Sequence, residues 1–171
     1  MTFAPMPDQL ATERFLLTRE RATDADWLAE LFTTRGTGVV TPAMAQERIA
    51  AMHALARDHG IGAYVLRPRD GGPPAGYAAI VVGRGTVEEP ELAYELLPEA
   101  RGRGYATEAA RCVLGAAFAT GRERVWATVR TWNTPSLRVL EKLGGFRVDR
   151  ETSDDDGVVR WHVREERAVS P

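Results

Sequence analysis

The sequence predicts a single α/β (α+β) domain: a central, mixed, mostly antiparallel sheet of about seven strands flanked by four helices. Three observations carry this. Strand-like and helix-like runs interleave along the whole chain, two pairs of strand runs are joined by turn-rich segments, and Glu91–Phe118 reads as strand, glycine turn and helix. The chain has 171 residues, 44% of them hydrophobic, which suits one domain with one core. The organised part spans about residues 10–165.

Charge and composition exclude several classes. Twenty-two basic against twenty-four acidic residues give a net charge of −2, which argues against a chain built to coat nucleic acid. A single cysteine, Cys112, cannot form an internal disulfide, so a reducing compartment, the cytoplasm, is expected. Met1–Gln9 holds two prolines and no apolar core segment, unlike a secretory leader. No apolar run approaches the roughly 20 residues of a membrane span, so no membrane partner is expected. His53, His59 and His162 share no metal-ligand spacing with each other or with Cys112, and no metal is expected.

The elements follow in order. Thr12–Arg19, with Phe15, Leu16 and Leu17 among polar residues, reads as the first strand. Thr23 or Asp24 can cap the next helix, in which Trp27, Leu28, Leu31 and Phe32 share a face. Thr33–Gly38 breaks that pattern, and Thr41-Pro42 restarts it with a cap and a first-turn proline; this second helix runs to about Asp58. The connection between the two helices is a candidate substrate-side loop. Ile61–Arg67 and Ala75–Gly83 flank a Pro/Gly-rich turn and read as an antiparallel hairpin, the second run apolar enough to be covered on both faces.

In Glu91–Leu97, period-two alternation puts Glu91, Ala93, Glu95 and Leu97 on one face and Leu92, Tyr94 and Leu96 on the other. Ionisable groups are mostly exposed, so strand position alone predicts a solvent-facing Glu91. In the turn Arg101-Gly102-Arg103-Gly104-Tyr105-Ala106, two glycines let the backbone bend with no Cβ in the way. Successive N–H groups can then face one concavity at a helix start, where the dipole and two arginines favour a phosphate. The following helix buries Ala106, Ala109, Ala110, Val113, Leu114, Ala117 and Phe118 and ends at Gly121. Cys112, beside that stripe, reads as a packing residue. Arg124–Thr131 is a strand with one apolar side. Asn133-Thr134-Pro135-Ser136 then supplies a cap and a first-turn proline for a helix reaching Gly144. Phe146–Glu151 and Val158–Arg164 close the chain as a hairpin around an acidic, solvated turn.

Two of these segments resemble motifs of the GCN5-related N-acetyltransferases. Arg101-x-x-Gly104-x-Ala106 fits the family's Q/R-x-x-G-x-G/A turn. Asn133-x-x-Ser136-x-Arg138-Val139-Leu140-Glu141-Lys142-Leu143-Gly144 is similar to the fourth-helix segment of its ribosomal-protein alanine acetyltransferase branch, as is Thr12-Glu13-Arg14 to that branch's opening. The resemblance implies an acetyl-CoA-dependent N-acetyltransferase. It implies that Arg101, Gly102, Arg103, Gly104, Tyr105 and Ala106 hold the pyrophosphate. Leu96 and Leu97 would pair with the pantetheine, and their segment would offer an N–H to the acetyl oxygen as it becomes an oxyanion. Asn133, and less directly Arg138, would meet the cofactor.

For catalysis the resemblance implies Glu91 as the general base that takes the amine's proton, with Glu95 second. Ser136 would donate to the leaving thiolate, since Leu140 stands where many members carry a tyrosine. Gly144-Gly145 adds a residue before Phe146 and puts the next strand's register in doubt. The implied partner is an amine acceptor, a protein N-terminus or a small molecule. The sequence leaves oligomeric state open, a homodimer included. A rival reading is an acyl-CoA-binding sensor or interaction domain without turnover. A nucleotide-hydrolysing P-loop lacks its Gly-Lys-Ser/Thr ending, and a dinucleotide site its third glycine.

Overall fold

The computed structural model describes residues 3–166. Eight strands form one sheet in the order β1-β2-β3-β4-β5-β6-β8-β7. They are β1 Gln9–Ala11, β2 Phe15–Arg19, β3 Ala63–Pro68, β4 Gly76–Val81, β5 Glu91–Leu96, β6 Arg124–Arg130, β7 Arg147–Asp154 and β8 Gly157–Glu165. Four helices accompany them: α1 Ala25–Thr33, α2 Pro42–His59, α3 Tyr105–Phe118 and α4 Thr134–Leu143. Every neighbouring pair is antiparallel except β5–β6.

The strand expected over Thr12–Arg19 is β2, which starts three residues later, and it is the second arm of a short hairpin with β1. Thr12 accepts the Phe15 N–H on its hydroxyl (3.1 Å) and donates its own N–H to Phe15 O (2.9 Å), so the chain turns there and β1 precedes it. That extra strand makes eight rather than seven.

The sheet separates two apolar layers. Ala25, Leu28, Leu31 and Phe32 of α1 and Ala45 and Ile49 of α2 pack with Tyr77 and Ala79 of β4, and Ala93 and Leu97 lean against them. On the opposite face Ala109, Ala110, Val113 and Ala117 of α3 are fully buried against Ala78, Ile80, Leu92, Val125 and Ala127. Small side chains on that stripe let α3 lie close to the sheet, fixing its N-terminus beside the end of β5. The alternation expected along β5 is therefore the alternation found, as is the double coverage of β4.

Two helix ends differ from expectation. Asp24 does not cap α1; its carboxylate takes the Arg21 N–H (2.7 Å), the Trp27 indole N–H (2.9 Å) and both Arg67 amino groups. Helix α3 ends at Phe118, and a tighter turn, with Thr120 N–H on Ala117 O (3.2 Å) and Gly121 N–H on Phe118 O (2.9 Å), closes it on the left-handed Gly121 (φ 92°). Thr41 does cap α2, accepting the Met44 N–H at 3.3 Å.

Candidate functional site

β5 and β6 meet at a single pair, Glu91 opposite Trp126, and then diverge. Trp126 N–H donates to Pro90 O (2.8 Å) on the β6 side, whereas Leu97 N–H donates to Ala75 O (3.0 Å) on the β4 side. Backbone groups alternate in direction along a strand, so those of Leu92, Tyr94 and Leu96 point toward β6 and those of Ala93, Glu95 and Leu97 toward β4. Beyond Glu91 the Tyr94 and Leu96 edges face an open seam in mid-sheet. Of the two residues expected to offer backbone partners, Leu96 faces the seam; Leu97 has its N–H engaged with β4.

At the end of β5 a 3₁₀ turn, Pro98–Ala100, delivers the chain to the glycine turn. Gly102 (φ 75°) and Gly104 (φ 79°) both take the left-handed conformation that other residues enter with strain. The first bonded amide of the helix start is that of Glu108, on Gly104 O (3.1 Å). From Gly102 to Thr107 the backbone N–H groups find no protein acceptor among the described residues. Donors left free in this way beside a helix N-terminus fit an anion, and a pyrophosphate in particular. Arg101 turns its Nε onto Leu96 O (3.1 Å), tying turn to strand. The Arg103 side chain is exposed, and Arg103 O accepts from Arg14 Nη1 (3.0 Å).

Arg14 is the residue that sequence reasoning left without a role. Its backbone N–H reaches Glu108 Oε1 (2.9 Å), its Nε reaches Glu108 Oε2 (2.5 Å), and its guanidinium lies 4.6 Å from the Tyr105 ring centroid. One side chain thus grips the turn from two sides. Arg14, Gly104, Thr107, Glu108, Arg111 and Lys142 line a cavity of about 340 Å³ beside that turn.

Glu91 is 9% exposed, not solvent-facing as strand position suggested. Its burial is compensated by donors brought from distant segments: Arg84 N–H on Oε2 (2.8 Å), Thr128 N–H on Oε1 (3.2 Å) and the Thr128 hydroxyl on Oε1. A carboxylate has about four acceptor positions, so one remains on Oε2. Gly83 keeps that region clear; a Cβ there would stand 2.4 Å from Oε2.

Across the seam, Asn133 caps α4 by accepting the Ser136 N–H on Oδ1 (3.3 Å), leaving its amide N–H groups for another partner. Ser136 is half-buried in the same first turn. Tyr94 reaches over from β5 and donates its hydroxyl to Ser136 O (3.2 Å), bridging the two sides; burial pushes its phenol up to about 12. Tyr94 was overlooked in the sequence, although a tyrosine on the inward-facing side of that strand needs a partner for its hydroxyl. Arg138 is exposed and makes no side-chain hydrogen bond among the described residues. Gly144 and Gly145 both have positive φ (69° and 73°), and Arg164 Nη1 holds the exit on Leu143 O (3.2 Å) and Gly144 O (3.0 Å). The doubtful register that follows contains an irregularity between Val148 and Arg150.

On the α1–α2 face, Glu95 meets Arg35 from the segment after α1. Arg35 Nε lies 2.9 Å from Glu95 Oε2 and 3.2 Å from Oε1, Nη2 also pairs with Oε2, and Nη2 donates to Tyr77 Oη (3.2 Å). The acidic turn is exposed, and Arg130 joins Asp154 and, at 3.6 Å, Asp156. No cluster of three or more His, Cys, Asp or Glu suited to a metal occurs among the described residues.

A glycine turn of unpaired amides at a helix start, set beside an unzipped parallel seam, defines an acyl-CoA transferase architecture. The family model for the acetyltransferase (GNAT) domain matches residues 14–145. A protein described as a GnaT-family acetyltransferase from Bordetella pertussis is 27% identical and superposes with a TM-score of 0.80, covering 92% of this chain and 99% of that one. The ribosomal-protein-S5-alanine acetyltransferase from Vibrio fischeri has a TM-score of 0.78 at 17% identity, over 95% and 99% of the two chains. A ribosomal L7/L12 alpha-N-protein acetyltransferase in complex with coenzyme A has a TM-score of 0.76 at 12% identity, over 95% and 98%. No protein of curated function matches the sequence. The chain belongs to the GNAT acetyltransferase family, and is an acetyl-CoA-dependent acetyltransferase.

Proposed function

We propose that the chain moves the acetyl group of acetyl-CoA onto a primary amine by direct attack in a ternary complex, with the β5–β6 seam as the place of transfer. The observation that carries this is the run of unpaired N–H groups from Gly102 to Thr107 opening beside the seam that Tyr94 and the Leu96 N–H face. Acetyl-CoA supplies the activated acetyl group. Arg101, Gly102, Arg103, Gly104, Tyr105 and Ala106 hold its pyrophosphate, the Leu96 edge aligns the arm, and the Asn133 amide and Arg138 add contacts from α4. Glu91, oriented by its three donors, takes the amine's proton on the remaining position of Oε2, directly or through a water. Ser136 donates to the leaving thiolate.

The acceptor class in this reading is a protein N-terminus or a small amine. The first is supported by two structural neighbours whose names specify ribosomal proteins. The workplace is the cytoplasm, supported by the single cysteine and by the absence, among the described residues, of a helix long and apolar enough to cross a membrane.

Thiol release from acetyl-CoA across N-terminal peptides and small amines tests the reading. Acceptor-dependent release is expected. Tight acetyl-CoA binding with no release for any acceptor would favour the acyl-CoA sensor, a reading supported by Leu140, an apolar residue at a place where a proton donor is expected.

A further inference from the structure

The α1–α2 connection packs Val40 on the apolar layer of this face and reaches a charged group of the sheet through one cationic side chain, Arg35. After α1 ends at Thr33, the described backbone bonds of the connection are local: Arg35 N–H to Phe32 O and Gly36 N–H to Thr33 O, both 3.2 Å. Gly36 (φ 74°) and Gly38 (φ 126°) follow in left-handed conformations with no atom within 4 Å of either Cβ position. Arg35 reaches inward, where its guanidinium lies over the Phe32 ring (4.3 Å to the centroid) and forks onto Glu95. The Glu95 carboxylate is four-fifths buried and is also near Tyr77 Oη (3.4 Å). It stands on the seam-lining strand, on the face away from α3. In the transferase reading, a thioester anchored at the α3 N-terminus and threaded through the seam would open toward this face, which would bring an arriving acceptor past Glu95.

We propose that Glu95 is a specificity-determining residue that anchors a second cationic group of the acceptor, and that Arg35 occupies that anchor until the acceptor displaces it. The inference rests on the transferase reading above. The acceptor class it names is an amine carrying another positive charge a few ångströms from the reacting nitrogen, as in a diamine or a peptide with lysine near its N-terminus. Charge at such a position selects partners more than it adds raw affinity. The two halves of the pair therefore act with opposite sign: Glu95 attracts the acceptor and Arg35 competes with it.

The test compares kcat/KM for 1-aminopentane and 1,5-diaminopentane, and for peptides differing only by lysine or norleucine at the second position, in wild type, Glu95→Gln and Arg35→Ala. Wild type is expected to prefer the dicationic member by about tenfold. Glu95→Gln is expected to erase that preference through KM. Arg35→Ala is expected to lower KM for dicationic acceptors several-fold with kcat nearly unchanged. The diamine and peptide arms tell which source supplies the cation. A merely structural pair would lose activity in both variants, for all acceptors alike, and that result overturns the proposal, as does a preference that survives Glu95→Gln. If Glu95→Gln fails to fold, Arg35→Ala decides alone by the sign of its effect. Equal wild-type turnover of both members sinks this inference only, whereas no turnover of any amine sinks the transferase reading with it.

Discussion

Glu91 shows what a single residue can hide. From its strand position a glutamate is expected to face water, yet this one is buried and bonded to Arg84, seven residues before it, and Thr128, thirty-seven after it. No local pattern reveals partners at such separations; only the resemblance pointed to the residue. Glu91→Gln places an amide where the Arg84 and Thr128 N–H groups already point, so it loses acceptor capacity as well as basicity. If Glu91 is the base, kcat falls by about 10²-fold and the acid limb of the pH–rate profile disappears, with KM for acetyl-CoA nearly intact. A lowered melting temperature with an unchanged profile would leave Glu91 as a clamp only. Tyr94 is the converse case: its inward face was legible, and its bridge to Ser136 O was not, because α4 lies forty-two residues away.

At the scale of elements, periodicity carried most of the reading. The α3 stripe, the faces of β5, the Thr41 cap and both hairpins were legible because each is decided within a few residues. Thr12 was misread because the turn there is built by its own hydroxyl and separates a three-residue strand too short to show alternation. The glycine turn was legible as an anion site, but its brace was not, since Arg14 comes from the β1–β2 turn. Arg14→Ala should raise KM for acetyl-CoA by about tenfold with kcat largely preserved, by freeing the Arg103 carbonyl and the Glu108 carboxylate that hold the turn's shape. Arg14→Lys keeps the charge and loses the fork, so it should recover only part of the affinity. Equal melting loss without a KM change would assign Arg14 to the fold alone. Isothermal titration with CoA separates the outcomes.

For the whole molecule, composition alone indicated one core and interleaved elements indicated the class, but where the sheet opens was not readable from any strand. On the α1 side the molecule also buries ion pairs that sequence gives no sign of. Burial opposes ionisation of Asp24, yet hydrogen bonds from Arg67, Trp27 and the Arg21 amide outweigh it and hold the carboxyl below the usual aspartate range. A depressed pKa stabilises the fold above the unfolded value of about 4 and loses that contribution as pH falls through the lower folded value. Arg67→Met strands the Asp24 charge and should destabilise by about 3 kcal/mol at neutral pH. The difference from wild type should narrow toward acid, as the stranded carboxyl takes up its proton. Denaturant melts at two pH values measure it; a gap that stays constant with pH would exclude the charge as its cause.

The single Glu91–Trp126 pair also has a mechanical meaning. Five strands on one side and three on the other are joined in mid-sheet by one rung, so the molecule resembles two plates hinged at one end of a slot. An extended ligand lying in the slot would rivet the plates, bonding both edges at once. The backbone amides of Tyr94 and Leu96 should then exchange hydrogen more slowly when CoA is bound, and so should amides of β6 beyond Thr128 that touch no part of the glycine turn.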